Sequence, residues 1–290
     1  MIDESSSVRV SALSLVINST ATSTPYLDRH LKALRKALPS LVTESDPGVR
    51  GEMLSICQRL IDRMRAATYA QDRHRLHTKS PKTLSSINRQ LDRHEHFVQW
   101  LIDFLYLQLH PGAGYQSVIF SLRVLRMLCK SGLDRRLESI ASPEGWGFSC
   151  TIMTPKLIRA LLTLVMNSFE DVRATASELL QVKFDDSPFS GNDTYLMECL
   201  DVAETMMLKS GRADHADGVS RLYATAFRFA SHFRVETVPP MEIRWWKEKA
   251  LIMLHLQQKL AAALQQARAD MAWAISESPL HGLISSIRYG

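Results

Sequence analysis

Few side chains in this sequence could do chemistry, and their spacing decides which chemistry is open to them. Histidines gather at His74, His77, His94 and His96, with Glu95 between the last two. A metal needs converging ligands. No thiolate lies nearby, no His-Glu-x-x-His spacing occurs, and His94 and His96 point to different faces of a helix. Solvated histidines and no metal are the expectation. The four cysteines, Cys57, Cys129, Cys150 and Cys199, are far apart and form no Cys-x-x-Cys pair, so reduced, buried thiols are expected. There is no P-loop, no Gly-rich dinucleotide or S-adenosylmethionine turn and no Gly-x-Ser-x-Gly elbow. Gly112-Ala113-Gly114 and Gly145-Trp146-Gly147 read as turns, and Asp185-Asp186 as a solvated loop. No catalytic residue and no cofactor follows from these patterns; the reading is a protein that is not an enzyme.

What remains is charge. Arg73, Arg75, Lys79 and Lys82 fall in a stretch nearly without apolar anchors, and Arg89 and Arg93 follow. Residues 68–82 read as a basic loop insertion, because polar, basic runs of this kind usually lie exposed. Clustered cations on an exposed segment can follow a phosphate backbone, so these six residues are candidate RNA contacts; a solvated loop is the plainer reading. Trp245-Trp246 could stack bases, although packing in a core or groove is the preferred reading. The net charge of +5 and pI near 9.1 permit nucleic-acid binding without demanding it.

The elements that must position these residues are helical in period, with no convincing β-alternation. A hydrophobic content of 46% is that of a folded globular chain. Helices are expected over 8–17, from Pro25 to a stop at Pro39, from Pro47 through Met64, over 83–110 and over 115–130. Further helices are expected from Pro155, from Phe169, over 194–209 and 214–232, and over 241–274. Arg59, Arg63 and Arg65 are placed on outer faces. No apolar run approaches the ~20 residues that span a bilayer, and the acidic, polar N-terminus is neither a signal nor a transit peptide. A cytoplasmic location is the expectation, with the nucleus as alternative, and no membrane.

Three helix openings look alike: Val8-Arg9, Val49-Arg50 and Val172-Arg173, each preceded by an acidic residue. The first two lie 41 residues apart (49 − 8), close to the ~40–47-residue period of HEAT and armadillo arrays. Arginine in a first turn is opposed by the helix macrodipole and needs an anionic partner. Arg9, Arg50, Asp171 and Arg173 are therefore assigned to repeat stacking, each arginine reaching an aspartate of its neighbour. The fold class expected is all-α, an α-solenoid of HEAT/armadillo-like helix pairs. One segment covers 1–290, and 278–290 is the start of a truncated next helix.

Several stretches resemble the THADA family, armadillo-like proteins that carry the domain DUF2428, and the fungal members most of all. They are Val8 to Leu15; the helix with Arg59, Arg63 and Arg65; Phe97 to Leu101 with Leu109 to Gln116; Phe169 to Leu180; Gly211 to Arg221 with Gly218; and Pro279 to Tyr289. The resemblance implies a non-catalytic subunit that directs a separate Trm7/FTSJ-type methyltransferase to 2′-O-methylate the ribose of nucleotide 32 in the tRNA anticodon loop. Its implied partners are that methyltransferase, which brings the S-adenosylmethionine pocket, and tRNA. The family's Arg-Arg-Ser-Ala-Gly-Leu-Pro motif has no counterpart here, so no functional residue is carried over. The chain is expected to be the solenoid portion leading into that region. The alternative is a generic HEAT-repeat scaffold for protein–protein interaction without an RNA role.

Overall fold

A computed structural model describes residues 5–17, 25–131, 133, 152–184, 199–203, 205–206, 212–231 and positions 254, 257, 258, 261, 262, 265 and 266. Among them all regular structure is helical. The named elements are α1 (Ser6–Ile17), α2 (Asp28–Leu41), α3 (Pro47–His77), α4 (Pro81–Leu107), α5 (Tyr115–Lys130), α6 (Pro155–Leu164), α7 (Glu170–Phe184) and α8 (Ala213–Ser231). The protein is all-α. The chain divides into two compact units, Met1–Leu157 and Ile158–Gly290, where the periodicity alone reads as one segment. Cys150, Gly145-Trp146-Gly147, Asp185-Asp186, Trp245-Trp246 and the expected helices over 241–274 and 278–290 lie outside the described residues, apart from the positions between 254 and 266 named above.

In the first unit, α1 packs on α3 and α3 on α5, while α2 packs on α1 and α4 on both α3 and α5. This alternation follows from apolar stripes at helical spacing: Leu31, Leu34 and Leu38 on α2, Met53, Ile56, Leu60 and Met64 on α3, Phe97, Leu101 and Leu105 on α4. Truncating any of these fully buried side chains to alanine removes about 2–5 kcal/mol. The start of α3 is built as its residues suggest. Asp46 caps it by accepting from the Val49 backbone N–H at 2.9 Å, and Pro47 occupies the first helical position, where no N–H is missed. Two boundaries differ from expectation. Helix α2 begins at Asp28 rather than Pro25, because the Tyr26 N–H is held by His94 Nε2 at 3.1 Å while Leu27 stays extended. It also passes through Pro39 to Leu41, since a proline in a last turn costs a helix only one bond.

The largest correction concerns residues 68–82, which are not a loop insertion. Helix α3 continues to His77, and only Thr78, Lys79 and Ser80 connect it to α4. Thr68 to His77 contains neither glycine nor proline, and its side chains pair along the helix. Arg73 donates to Tyr69 Oη at 3.3 Å with its guanidinium 5.6 Å from the ring centroid, and Arg75 bridges to Asp72. Such i,i+3 and i,i+4 pairs support a helix that has no apolar face of its own.

Two more expectations are overturned at the seam of α1, α2, α3 and α4. His94 is not solvated: it is 1% exposed and, as the acceptor for Tyr26, must be unprotonated at Nε2. Burial drives its pKa down to about 4, with the nearby Arg63 charge acting the same way and the Tyr26 hydrogen bond opposing. Arg63 is not on an outer face either. It is buried, its guanidinium stacks 4.0 Å from the Tyr26 ring centroid, and it donates to the Ile17 carbonyl at 3.3 Å. A cation over an aromatic face in a desolvated seam is worth about 2 kcal/mol. Burial also pushes Tyr26 up to about 12, so its phenol stays neutral across physiological pH.

In the second unit the paired elements are α7 and α8. Arg173 lies in the first turns of α7, where the macrodipole opposes a cation. Its Nε donates to Asp217 Oδ2 at 2.6 Å, and its Nη1 to the carbonyls of Asn167 and Ser168 at 2.8 and 3.1 Å. It thus ties α7 both to α8 and to the chain leaving α6. Arg221 donates to the same carboxylate oxygen at 3.0 Å. Burial alone raises the Asp217 pKa, but hydrogen bonds from Arg173 and Arg221 outweigh it and hold the carboxyl below the usual range. The three look-alike openings do not share one role. Arg50 folds back onto the Ser45 carbonyl at 2.8 Å, within its own cap. The Arg9 side chain lies outside the described residues. Asp171 accepts from the Val172 N–H in its own turn, and the aspartate that Arg173 reaches is Asp217.

Gly218 permits a close backbone approach in this unit. A Cβ there would lie 2.3 Å from the Val165 carbonyl oxygen and 2.7 Å from Met166 Sδ. Helix propensity alone would make Gly218→Ala stabilising by about 1 kcal/mol. Overpacking against backbone costs about 1–3 kcal/mol and cannot be relieved by a rotamer change, so the variant should lower the midpoint of thermal unfolding. An unchanged or higher midpoint would contradict this packing.

His94 sets a pH dependence. Its value falls from 6.5 in the unfolded chain to about 4 when folded. The stability it contributes is complete above pH 6.5 and is lost as pH falls toward 4, about 3 kcal/mol in all. His30 is shifted downward by burial and adds the same sign. Unfolding in urea should therefore show a midpoint that drops between pH 7 and 4.5, with most of that drop absent in His94→Gln.

Candidate nucleic-acid interface

Residues 69–93 hold six cations against two carboxylates, a net +4 within a chain whose total is +5. The α3–α4 hairpin presents all six to solvent: Arg73, Arg75, Lys79, Lys82, Arg89 and Arg93 are each exposed. Their placement is uneven. On α4, Lys82, Arg89 and Arg93 are seven and eleven residues apart and so form one stripe within about 20° of a common line. On α3, Arg73 and Arg75 leave the helix about 200° apart and flank it on opposite sides. Lys79 sits in the three-residue connection. A helical hairpin holds these charges more rigidly than a loop would, so less entropy is lost when they meet a ligand.

Two of the six already have partners. Arg73 is drawn to Tyr69 and Arg75 to Asp72, and both contacts are exposed i,i+4 or i,i+3 pairs. Pairs of that kind are worth only a few tenths of a kcal/mol, well below what a phosphate contact returns, so they orient the arginines without withholding them. Lys79, Lys82 and Arg89 lie exposed in the hairpin, while Arg93 is near enough to Asp28 to help Lys32 hold that carboxyl below its usual range.

The α2–α4 seam carries the aromatic surface of this unit. Trp100 stacks on Phe104 with centroids 5.5 Å apart and planes at 10°, and the Arg35 guanidinium lies 5.4 Å from the Trp100 centroid and 5.8 Å from Phe97. Arg35 also donates to the His96 carbonyl at 3.0 Å. These rings fasten α2 to α4 and are committed to packing. Cys57, Cys129 and Cys199 are buried free thiols, and burial pushes Cys57 up to about 12, far from a reactive thiolate. Among the described residues no three His, Cys, Asp or Glu side chains converge as metal ligands, and no helix is long and apolar enough to cross a membrane.

One cationic group has no counterpart among the sequence candidates: Arg65 of α3 lies beside Arg123, Arg126 and Lys130 of α5. The spacing i, i+3, i+7 of these last three was the available signal. It was masked because they are interleaved with Val124, Leu125 and Leu128, so the segment registers as core helix.

No solved structure matches the chain. A family model described as Trm732, TPR repeats matches residues 1–174, which include α1 to α6 and the opening of α7 with Arg173. TPR, HEAT and armadillo arrays are all stacks of helix pairs, and here α1 pairs with α2 and α3 with α4 while α1, α3 and α5 pack in sequence. With more than half of its length matched, the chain belongs to the family of Trm732 TPR-repeat proteins.

Proposed function

We propose that this protein is a non-catalytic adaptor in tRNA modification. In this reading it holds tRNA and directs a separate Trm7/FTSJ-type methyltransferase to 2′-O-methylate the ribose of nucleotide 32 in the anticodon loop, in the cytoplasm. The observation that carries it is membership of the Trm732 family across residues 1–174, the part that contains the exposed cations of the α3–α4 hairpin. Those cations give the adaptor its means. Arg73, Arg75, Lys79 and Lys82, continued by Arg89 and Arg93, can neutralise phosphates of a folded RNA that lies against the hairpin, and their contacts specify position rather than base sequence. The methyltransferase supplies the methyl donor pocket and the chemistry. The stacked helix pairs supply a surface of fixed length between tRNA and enzyme.

Two measurements test the proposal. Deleting the gene of the full-length protein should abolish ribose methylation at nucleotide 32 and leave other anticodon-loop methylations in place; unchanged methylation at that nucleotide removes the proposal. In vitro, tRNA binding should weaken with salt, with a log–log slope of about −0.7 to −0.9 per phosphate engaged. Replacing Arg73, Arg75, Lys79 and Lys82 by glutamate should lower affinity at least about tenfold and flatten that slope. A variant with unaltered affinity and slope takes the hairpin out of RNA binding.

A further inference from the structure

Thr78, Lys79 and Ser80 join α3 to α4, and Pro81 follows as the first residue of α4. Ser80 and Pro81 are both exposed. A proline holds the residue before it in an extended conformation, and Ser80 has φ −77° and ψ 119°. A protein kinase takes its acceptor segment as extended chain, so Ser80 already has the backbone it requires. The proline has no N–H, so nothing is left unpaired when it enters an apolar pocket beside the acceptor. Ser80-Pro81 thus has the pattern of a substrate for a proline-directed kinase.

The Ser80 hydroxyl differs from its nearest counterpart. Among the described residues two hydroxyl side chains directly precede a helix-opening proline, Ser80 before α4 and Thr154 before α6. Thr154 is half-buried, and its Oγ1 caps α6 by accepting from the Leu157 N–H at 3.2 Å. Ser80 holds the same position on α4, but its side chain makes no capping bond. Drawing the connection into a kinase also disturbs little packing. From Thr78 to Ser86 no residue is buried, and the first buried side chain of α4 is Ile87.

We infer that Ser80 is a phosphorylation site and that its phosphate turns down RNA binding by the α3–α4 hairpin. The inference rests on the RNA-binding reading above and supplies its regulation. In the transfer Ser80 Oγ bonds to the γ-phosphorus of ATP while the β–γ bridging P–O bond breaks. ADP leaves, and the hydroxyl proton passes to a base of the kinase. The phosphoserine carries about −1.5 to −2 charge at pH 7, so residues 69–93 fall from +4 to about +2 (4 − 2). Lys79 lies one residue before the phosphate and Lys82 two after it. The phosphate competes for both as an intramolecular ligand, at an effective concentration of about millimolar. A negative group suits the start of α4, so the hairpin keeps its fold.

The test treats the full chain with a cyclin-dependent kinase and ATP and maps the product by mass spectrometry. Binding of a fluorescently labelled, unmodified tRNA is then followed by anisotropy across a salt titration. Ser80 should be phosphorylated in the wild type, and position 80 should carry no phosphate in Ser80→Ala or in Pro81→Ala. Kinase-treated Ser80→Ala is the reference, because it cancels any phosphate on the chain's other Ser-Pro and Thr-Pro pairs. Against it the phosphorylated wild type should bind at least about tenfold more weakly, with a salt slope smaller by about 1.5, the share of two lysines. Both should melt at the same temperature, and Ser80→Asp, with a single charge, should bind with intermediate affinity. A Ser80 left unmodified while a control Ser-Pro peptide is turned over would overturn the site. Phosphate at Ser80 with affinity and slope unchanged, and the Arg73, Arg75, Lys79 and Lys82 variant still impaired, would overturn the switch and leave the proposed function standing. A wild-type chain that binds no tRNA overturns both, whatever the state of Ser80.

Discussion

The burial of helix α3 is the constraint on which the first unit depends. It contacts α1, α4 and α5, and to do so it keeps Met53, Ile56, Cys57, Leu60, Ile61, Met64 and Ala67 out of water over four of its turns. An apolar surface that wide cannot be satisfied by one neighbour, which is why the helices of this family are stable only as a stack. The same burial controls where the polar residues of α3 can go. Arg63 falls on the buried side and must find a desolvated partner in the Tyr26 ring and the Ile17 carbonyl. Arg65, two residues on, faces α5. Beyond Thr68 the packing ends, and the helix runs on as a solvent-exposed arm held by its own side-chain pairs.

Cations in this protein therefore divide by environment. Arg63 and Arg173 are buried, each with fixed oxygen or aromatic partners, and both act as fasteners between elements. A buried charge of this sort is costly to leave unpaired, so its partners are held in one arrangement. The cations of the α3–α4 hairpin face water, where their pairing with neighbours is weak and exchangeable. The first group builds the stack; the second is available to a polyanion. Charge count alone cannot make that division, since net charge treats Arg63 and Lys82 as equals.

Much of the architecture was legible in the residues. Helical periodicity, Asp46-Pro47 at a helix start and the Pro111 to Gly114 turn, where Gly112 takes a positive φ of 91°, are local signals, and the chain obeys them. The THADA-like resemblance and the Trm732 family match point the same way at the level of the family. The departures share one cause: polarity in a sequence does not by itself mean exposure. Thr68 to His77 lacks apolar residues, as a loop does, yet its helix propensity and i,i+4 pairs carry the helix through it. By type His94 belongs in solvent and Arg63 on an outer face, yet both are buried against Tyr26.

By itself the sequence determined the all-α class, the helix-pair repeat and the positive balance of residues 69–93, because each depends on spacing and composition within one segment. Only the tertiary structure decided which cations are buried fasteners and which lie exposed on the hairpin. It also brought Arg65 of α3 beside Arg123, Arg126 and Lys130 of α5, about sixty residues later in the chain. The reason is that exposure and pairing belong to the packed surface between helices. A charge's environment is set by what the neighbouring helix places opposite it, and no window along one chain segment contains that neighbour.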